Sequence, residues 1–487
     1  SFCAQGSNAP QALGMPRVQV RRASGDHLVD VDVTQTDRIK TLRLKAEEAL
    51  GGLHSAIVGA GGLVLSDDRT ITSVGLRDGD SVAAVIVDDS VRMYSNGRAF
   101  AALKADGSAI SWGDAAYGGD CTVLTGRDDC TTVAEHLRHG VKQIVYTDAA
   151  FAALKVDGSV VTWGDAAKGG NSSLEWKSLL DGVYIMYSTD AAFAALKENG
   201  SVITWGDGAR GGNIRLVREM LESGVQVIYS TVGAFAAVKD DGEVITWGDG
   251  SCGGNSRPVK KELEYNVKRI YCTKRAFAAM KWDSSIVTWG EGFSGGDSSA
   301  VKEHLASGVQ EIFCTDSAFA ALKEDGSVFT WGSRAAGGNS DAVKEHLQTG
   351  VRQVVATIGA FAALTADGAV VFWGDSEHGG ECYIGREDLA SGVRQIYSTD
   401  GAFAALKEDS SVICWGDGAA GGKCGAAKED LKRGVQSMDS TKTSFTAVKK
   451  DGSVITWGRS AYGLAKKSAN VELSLLGQSR RAVPSPR

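Results

Sequence analysis

The side chains best suited to chemistry in this sequence come in rows. Asp114, Asp165, Asp207, Asp249, Glu291, Asp375 and Asp417 each directly follow a Trp-Gly pair. A row of like charges steers a basic partner or a cation toward itself. The plainer expectation is that each Asp accepts a backbone hydrogen bond and ends its own strand. Lys104, Lys155, Lys197, Lys239, Lys281, Lys323, Lys407 and Lys449 form a second row, which reads as a solvated edge. A third row, five residues after each Trp, does not repeat: Tyr117, Lys168, Arg210, Cys252, Ser294, Ala336, His378, Ala420 and Tyr462. Positions that determine a fold should recur, whereas positions facing a non-repeating partner are free to differ. Tyr117, Lys168, Arg210, His378 and Tyr462 are therefore the partner-binding candidates, with Asp165, Asp207, Asp249, Asp375 and Asp417 beside them; drift on an unused surface is the alternative.

Catalytic and metal chemistry find no frame. His136, His304 and His346 occupy equivalent positions in three separate segments, too far apart to act jointly. No Ser/His/Asp or Cys/His arrangement, phosphate-cradling loop or zinc-type spacing occurs, so neither an enzyme nor a bound cofactor or metal is expected. Among nine Cys there is no Cys-x-x-Cys. Cys272 and Cys314 share one repeat position and Cys121, Cys382 and Cys424 another, as substitutions within a template rather than a disulfide framework. Only Cys121 and Cys130 are placed to pair locally. A reducing compartment, cytoplasmic or nuclear, is the expectation. A net charge of −7 argues against general binding of nucleic acid or anionic membrane, and no apolar run approaches the roughly 20 residues of a membrane span. The sequence begins at Ser1 rather than Met, which leaves a removed leader open.

The elements that must position these rows recur too. Trp-Gly pairs start at Trp112, Trp163, Trp205, Trp247, Trp289, Trp331, Trp373, Trp415 and Trp457, with a step of 42 from Trp163 onward and 51 before it, where Cys121 to Thr132 carries an insertion. Such a period marks a repeat architecture. One unit reads Gly392 to Thr399, a first strand; Ala402 to Lys407, a second; and Ser411 to Trp415, a third. Between the second and third, Asp157-Gly158, Asn199-Gly200, Asp325-Gly326 and Asp451-Gly452 are strong hairpin signals. A loop with Gly-Gly follows, then a helix-like return such as Ala342 to Leu347. A three-stranded meander this small must stack on copies of itself, which predicts a mainly β chain built as a β-propeller of nine short units, as a closed ring or an open spiral. Strand direction puts the first-to-second turn and the loop after Trp-Gly on one rim and the hairpins on the other.

The run Val309-x-x-Ile312, Ala321-Leu322-Lys323, Asp325-Gly326-x-Val328, Trp331-Gly332 and Gly337-Gly338 resembles the regulator of chromosome condensation (RCC1) repeat family. The short unit and the Ser307-Gly308-Val309 lead-in are most similar to its compact branch, which includes the bacterial β-lactamase inhibitor propellers. The resemblance spans 91–463. It departs from the family in counting nine units rather than seven, and in placing Phe151, Phe193 and Phe235 where the family commonly has His. The ultraviolet-sensing relatives need clustered extra Trp, whereas Trp176 and Trp282 stand alone.

Residues 17–87 differ from the rest. Val18 and Val20, then Val29, Val31 and Val33, alternate as a hairpin with one buried face, and Ile39, Leu42, Ala46 and Leu50 form a helical stripe. Short strands are expected at Ala56–Val58, Leu63–Leu65 and Ser81–Val87. Leu65-Ser66-Asp67-Asp68-Arg69-Thr70-Ile71, followed by Asp78-Gly79-Asp80-Ser81-Val82, resembles ubiquitin-like domains of α+β β-grasp fold. The last strand runs into Asp88-Asp89 with no terminal Gly-Gly, so conjugation is not expected. Ile57 and Val85 are candidates for an exposed docking patch or for the core. Residues 1–16 read as a disordered tail and 464–487 as a basic disordered tail.

The resemblances imply a non-enzymatic protein-interaction scaffold whose loop rim binds a protein, with ubiquitin-system or proteasome components as possible partners of the N-terminal module. RCC1-like propellers occur in HECT-type ubiquitin ligases, but the catalytic domain of those ligases is absent here, leaving an adaptor. Two alternatives are guanine-nucleotide exchange on a small GTPase, through the insertion 121–132, and an inhibitor-like propeller that plugs another protein's active site with Tyr117 and Tyr462.

Overall fold

A computed structural model describes residues 17–22, 27–34, 36–49, 55–58, 69–74, 76–77, 80–86, 91–123, 132–382 and 387–459. Residues 1–16 and 464–487, and with them both expected tails, lie outside the described residues, as do Leu63–Leu65. The chain divides into two compact bodies, 1–93 with 102–109, and 94–101 with 110–487.

In the first body, β1 (Arg17–Arg22) pairs antiparallel with β2 (His27–Asp32) and parallel with β4 (Ser81–Ile86), which pairs antiparallel with β3 (Ser55–Val58). The sheet order is β2-β1-β4-β3. Helix α1 (Ile39–Ala49) sets Ile39, Leu42 and Ala46 in one core with Val18, Val20, Val31, Ile57, Ile71 and Val82. Those are the alternating and helical-period positions of the sequence, each with its apolar face turned the same way. Ile57 is buried in that core, which rules it out as an exposed patch residue. The side chain of Val85 lies outside the described residues.

After the β-grasp-sized segment come, among the described residues, nine three-stranded sheets, each with its strands in chain order. Repeat 1 is Arg92–Ser95, Ala99–Leu103 and Ala109–Gly113; repeat 8 is Val393–Ser398, Ala402–Lys407 and Val412–Gly416. Within a sheet the register puts Phe403 opposite Trp415, and the two rings stack with centroids 5.3 Å apart. Alternation then gives each sheet two unlike faces. Ala402, Ala404 and Leu406 point toward repeat 9, where they meet Val435, Met438, Phe445, Ala447 and Trp457. The small Ala side chains leave room for the neighbour's large rings, which are buried against them.

Gly-Gly completes the junction. The indole Nε1 of Trp457 donates to the carbonyl of Gly421, 3.1 Å away. A Cβ on Gly421 would come 2.7 Å from the ring of Phe445, and one on Gly422 would come 2.3 Å from the carbonyl oxygen of Gly416. Both glycines are therefore required by close approach, beyond any turn preference. The same indole bond recurs at Trp163, Trp205, Trp247, Trp289, Trp331, Trp373 and Trp415. It spans 36 residues everywhere except at Trp163, where it spans 45 to Gly118 at the same 3.0 Å.

Backbone bonds tie neighbouring repeats at both rims. At the first-to-second turn, Asp148 N donates to Asp190 O (2.8 Å), Asp190 N to Val232 O (3.0 Å), Val232 N to Lys274 O (2.9 Å), and so on to Asp400 N and Lys442 O (2.7 Å). At the hairpins, Gly158 O accepts from Val183 N (3.1 Å) and Gly326 O from Val351 N (3.0 Å). In repeat 1, Phe100 and Trp112 stack as elsewhere, at 5.6 Å, and each is 40% exposed.

One covalent link was not expected from the sequence: Cys414 and Cys424 form a disulfide. Their register explains it. Four other repeats hold a hydroxyl pair at these two positions, Thr162 with Ser172, Thr246 with Ser256, Thr288 with Ser298 and Thr330 with Ser340. The cysteines are thus template substitutions, as their positions suggest, yet they substitute as a pair. Cys130 lies outside the described residues.

Candidate protein-interaction surface

The loop rim is assembled from two short segments per repeat. The first-to-second turn supplies a Thr whose hydroxyl donates to the carbonyl of the fifth residue after Trp: Thr147 to Lys168 (3.0 Å), Thr189 to Arg210 (3.0 Å), Thr231 to Cys252 (2.9 Å) and Thr357 to His378 (3.0 Å). The non-repeating residues are therefore held in place through their backbone while their side chains stay free to vary.

The acidic row is absorbed by the same loops. Asp165, Asp207, Asp249 and Asp375 each cap a one-turn 3-10 helix, accepting from the amide two residues on: Ala167 (2.9 Å), Ala209 (2.9 Å), Ser251 (2.8 Å) and Glu377 (3.0 Å); Asp417 accepts likewise from Ala419 (2.8 Å) within a turn, and Glu291 makes no cap bond but accepts from the Ser294 hydroxyl. An aspartate at a helix start satisfies an otherwise orphaned donor, which accounts for the recurrence. Burial pushes the Asp249 carboxyl up, but hydrogen bonds from the Ser251 side chain and amide outweigh it and hold the group below its ordinary value.

The lysine row also departs from expectation. Instead of lying in solvent, the ammonium groups of Lys197, Lys281, Lys323, Lys407 and Lys449 donate to the carbonyls of Ser178, Glu262, His304, Asp388 and Asp430, each 19 residues back. Those carbonyls close the return helices, where a cation is favoured by the exposed C=O groups. The constraint links residues in different elements, so no local pattern announces it.

What remains on the loop rim is a set of unlike side chains. Tyr117 lies under the Arg98 guanidinium, 4.6 Å from its ring centre. Burial and the neighbouring Asp148 raise the Asp190 carboxyl, while Arg210, Lys168 and Lys274 pull it back down. Lys274 pairs with Asp316 at 2.6 Å and Arg275 with Glu291 at 3.2 Å. The His378 Nδ1 sits 2.7 Å from the Asp375 carboxylate. Tyr462 lies outside the described residues. The rim thus carries mixed, internally paired charge rather than a belt of one sign.

Phe293 was missed among the sequence candidates. It is 87% exposed on this rim, four residues after Trp289, where other repeats have Ala116, Ala167, Ala209, Ser251, Ala335, Glu377 and Ala419. Its signal was available: one aromatic in a column of small or polar residues. The hairpin rim is less uniform than it reads, too. In repeat 5, Trp282 is 66% exposed, with the Lys268 ammonium 5.1 Å from its ring. There Asn266 and Ser284 take positive φ (67° and 63°) where most repeats use Gly.

Grooves of about 570 and 510 Å³ lie between return segments and third strands. The larger is lined by Leu216, Met220, Ile245, Trp247 and Arg257. Among the described residues no group of three or more His, Cys, Asp or Glu is placed to hold a metal ion, and no helix is long and apolar enough to cross a membrane.

No family model matches the sequence, and no curated protein matches it significantly. Among solved structures, the chain is similar to yeast RCC1 (Prp20) bound to Kap60, at 16% identity and a TM-score of 0.32, over 59% of this chain and 80% of that one. It is similar to the ectodomain of the Physcomitrella patens receptor kinase CR4, at 14% identity and 0.31, over 59% and 73%. Human WBSCR16 overlaps at 17% identity and 0.29, over 68% and 86%. Likenesses at these scores carry no argument, and the propeller-type reading rests on the sheets and junctions themselves.

Proposed function

We propose that this chain is a non-enzymatic scaffold of RCC1-like repeats that recruits a protein partner through its loop rim. The observation that carries the reading is Phe293: a fully presented aromatic on the rim whose repeated charges are all engaged in holding loops. An exposed aromatic ringed by mixed, paired charges is the composition of a binding hot spot with a polar rim. Tyr117, Lys168, Arg210 and His378 extend the surface along successive repeats.

The second part of the proposal is that residues 17–87 are a ubiquitin-like module linking the scaffold to the ubiquitin system. The mixed sheet of order β2-β1-β4-β3, with a parallel central pair and one helix, supports it, as does the resemblance of residues 65–82. Nucleotide exchange on a small GTPase and inhibition of another protein's active site remain as competing readings. The first invokes the insertion 121–132, most of which lies outside the described residues, and a nucleotide-release assay separates it.

The test is co-purification from source extract with three proteins: the intact chain, the chain lacking residues 1–88, and a rim variant (Phe293→Ser with Arg210→Ala and His378→Ala). Loss of one set of partners with the rim variant, and of proteasome or ligase components with the truncation, is expected. Recovery of the same proteins by all three contradicts both parts.

A further inference from the structure

The acidic row on the loop rim is broken in repeat 6. There Ser333 stands where repeats 1–5, 7 and 8 have Asp or Glu after Trp-Gly, and Arg334 stands where those repeats have Ala, Gly or Ser. The loop keeps its shape without the acid. Ser333 makes no side-chain cap bond, yet its carbonyl accepts from Ala336 N (3.1 Å) and Gly338 N (2.7 Å), as the Asp165 carbonyl does from Lys168 N and Gly170 N. Compared with its siblings, the loop has lost a negative charge and gained a positive one. Phe293 sits on the loop next to it. The two loops are in contact: a Cβ on Gly332 would come 3.2 Å from Gly295 N, and the Trp331 indole donates to Gly295 O at 3.0 Å. An aromatic in a column of small or polar residues and a cation in a gap of the acid row thus fall on adjacent loops.

Charge along the chain changes at the same place. Residues 251–292 carry eight Lys and Arg against four Asp and Glu, whereas 209–250 carry four against six. The two cations of the neighbouring turn are answered within the chain, Lys274 by Asp316 and Arg275 by Glu291. Arg334 is exposed and has no ion pair among the described residues. We propose that the loop rim binds an acidic, partly apolar peptide segment, whose apolar side chains pack on Phe293 while the Arg334 guanidinium takes its carboxylate. A guanidinium can meet a carboxylate through two parallel hydrogen bonds, which fixes orientation as well as adding attraction. An aromatic already held by its loop loses little freedom on binding. The Phe293 loop is held so: Ser294 N and Gly296 N donate to Glu291 O at 3.1 and 2.8 Å, and the Thr273 hydroxyl donates to Ser294 O at 2.9 Å. This rests on the loop-rim reading of Phe293 and adds the chemistry of its partner.

The probe is a displayed library of random peptides panned on the intact chain. Recovered peptides are measured by fluorescence polarisation against the native chain, Phe293→Ser and Arg334→Glu, with the fold of each variant checked by circular dichroism. Peptides that need Phe293 are expected to carry Asp or Glu next to apolar residues. They should bind Arg334→Glu about tenfold more weakly or worse, because like charges then face each other. Changing the acid of such a peptide to Lys should restore its binding to Arg334→Glu, which a misfolded variant cannot do. Phe293-dependent peptides that lack an acid, or that bind Arg334→Glu as tightly as the native chain, overturn the proposal and leave the loop-rim reading in place. A library that yields no Phe293-dependent peptide overturns both.

Discussion

Trp289 condenses the chemistry of a junction into one side chain. Its indole stacks on Phe277 at 5.2 Å and donates to Gly253 O of the preceding repeat at 3.0 Å, with almost no surface exposed. Trp289→Phe keeps the stack and leaves a buried carbonyl unpaired, a loss of about 1–3 kcal/mol. Trp112→Phe, at an indole that is 40% exposed, should stay within about 0.5 kcal/mol. Denaturant midpoints of the two variants check the contrast. The hairpin aspartates give a pH test. The Ser327 hydroxyl, then its amide, hold the Asp325 carboxyl below its ordinary value; Ser285, Ser411 and Ser453 do the same for Asp283, Asp409 and Asp451. A depressed folded value means stability that is present above the unfolded value near 4 and lost as pH falls through the folded one. Asn199 makes the same two bonds, to Ser201, without a charge. Replacing all four aspartates by Asn should therefore leave the neutral-pH midpoint in place and flatten its fall below about pH 4. An equally steep fall would show that other carboxylates dominate. At this scale the Trp positions were legible in the sequence because packing residues must recur. Phe293 was overlooked because it departs from a column of alanines rather than from the variable column beside it.

At the scale of elements, the strands and hairpins of the repeats followed from alternation and Asp-Gly turns and fell where those signals placed them, whereas the strand expected at Leu63–Leu65 lies outside the described residues. The return segments did not yield as much. Most are 3-10 pieces such as Arg257–Leu263, held at Glu262 by Lys281, 19 residues further on, and a bond over that separation leaves no local periodicity to read. The Gly-Gly loops were legible as turns but not as contact surfaces. Gly254→Ala would drive a Cβ to 2.4 Å from the Gly248 carbonyl oxygen. That crowding should cost about 1–3 kcal/mol and broaden the unfolding transition, because the repeats on either side would uncouple. The disulfide makes a complementary case. Cys414→Thr with Cys424→Ser recreates the hydroxyl pair of four sibling repeats, so the variant should fold and keep its far-ultraviolet spectrum. Failure to fold would mean that the covalent link, not the register, holds this return segment. In a cytoplasmic or nuclear setting the native pair would rest as two thiols in the place of two hydroxyls.

At the scale of the whole molecule, the period predicted stacking and the structure supplies its means: indole-to-carbonyl bonds, turn-to-turn amide bonds and unlike faces that fit. Whether the row of units closes could not be read from nine similar repeats, since each carries the same apolar face. Which surface recruits a partner is the point on which the functional reading turns, because Phe293 on the loop rim and Trp282 on the hairpin rim are both aromatic and both exposed. A photo-crosslinking residue placed at position 293 in one preparation and at 282 in another, each irradiated in source extract and resolved by mass spectrometry, separates them. Covalent capture of a defined protein from position 293, with none from 282, is the expected result. Capture from 282 alone would move the binding surface to the opposite rim and contradict the loop-rim reading.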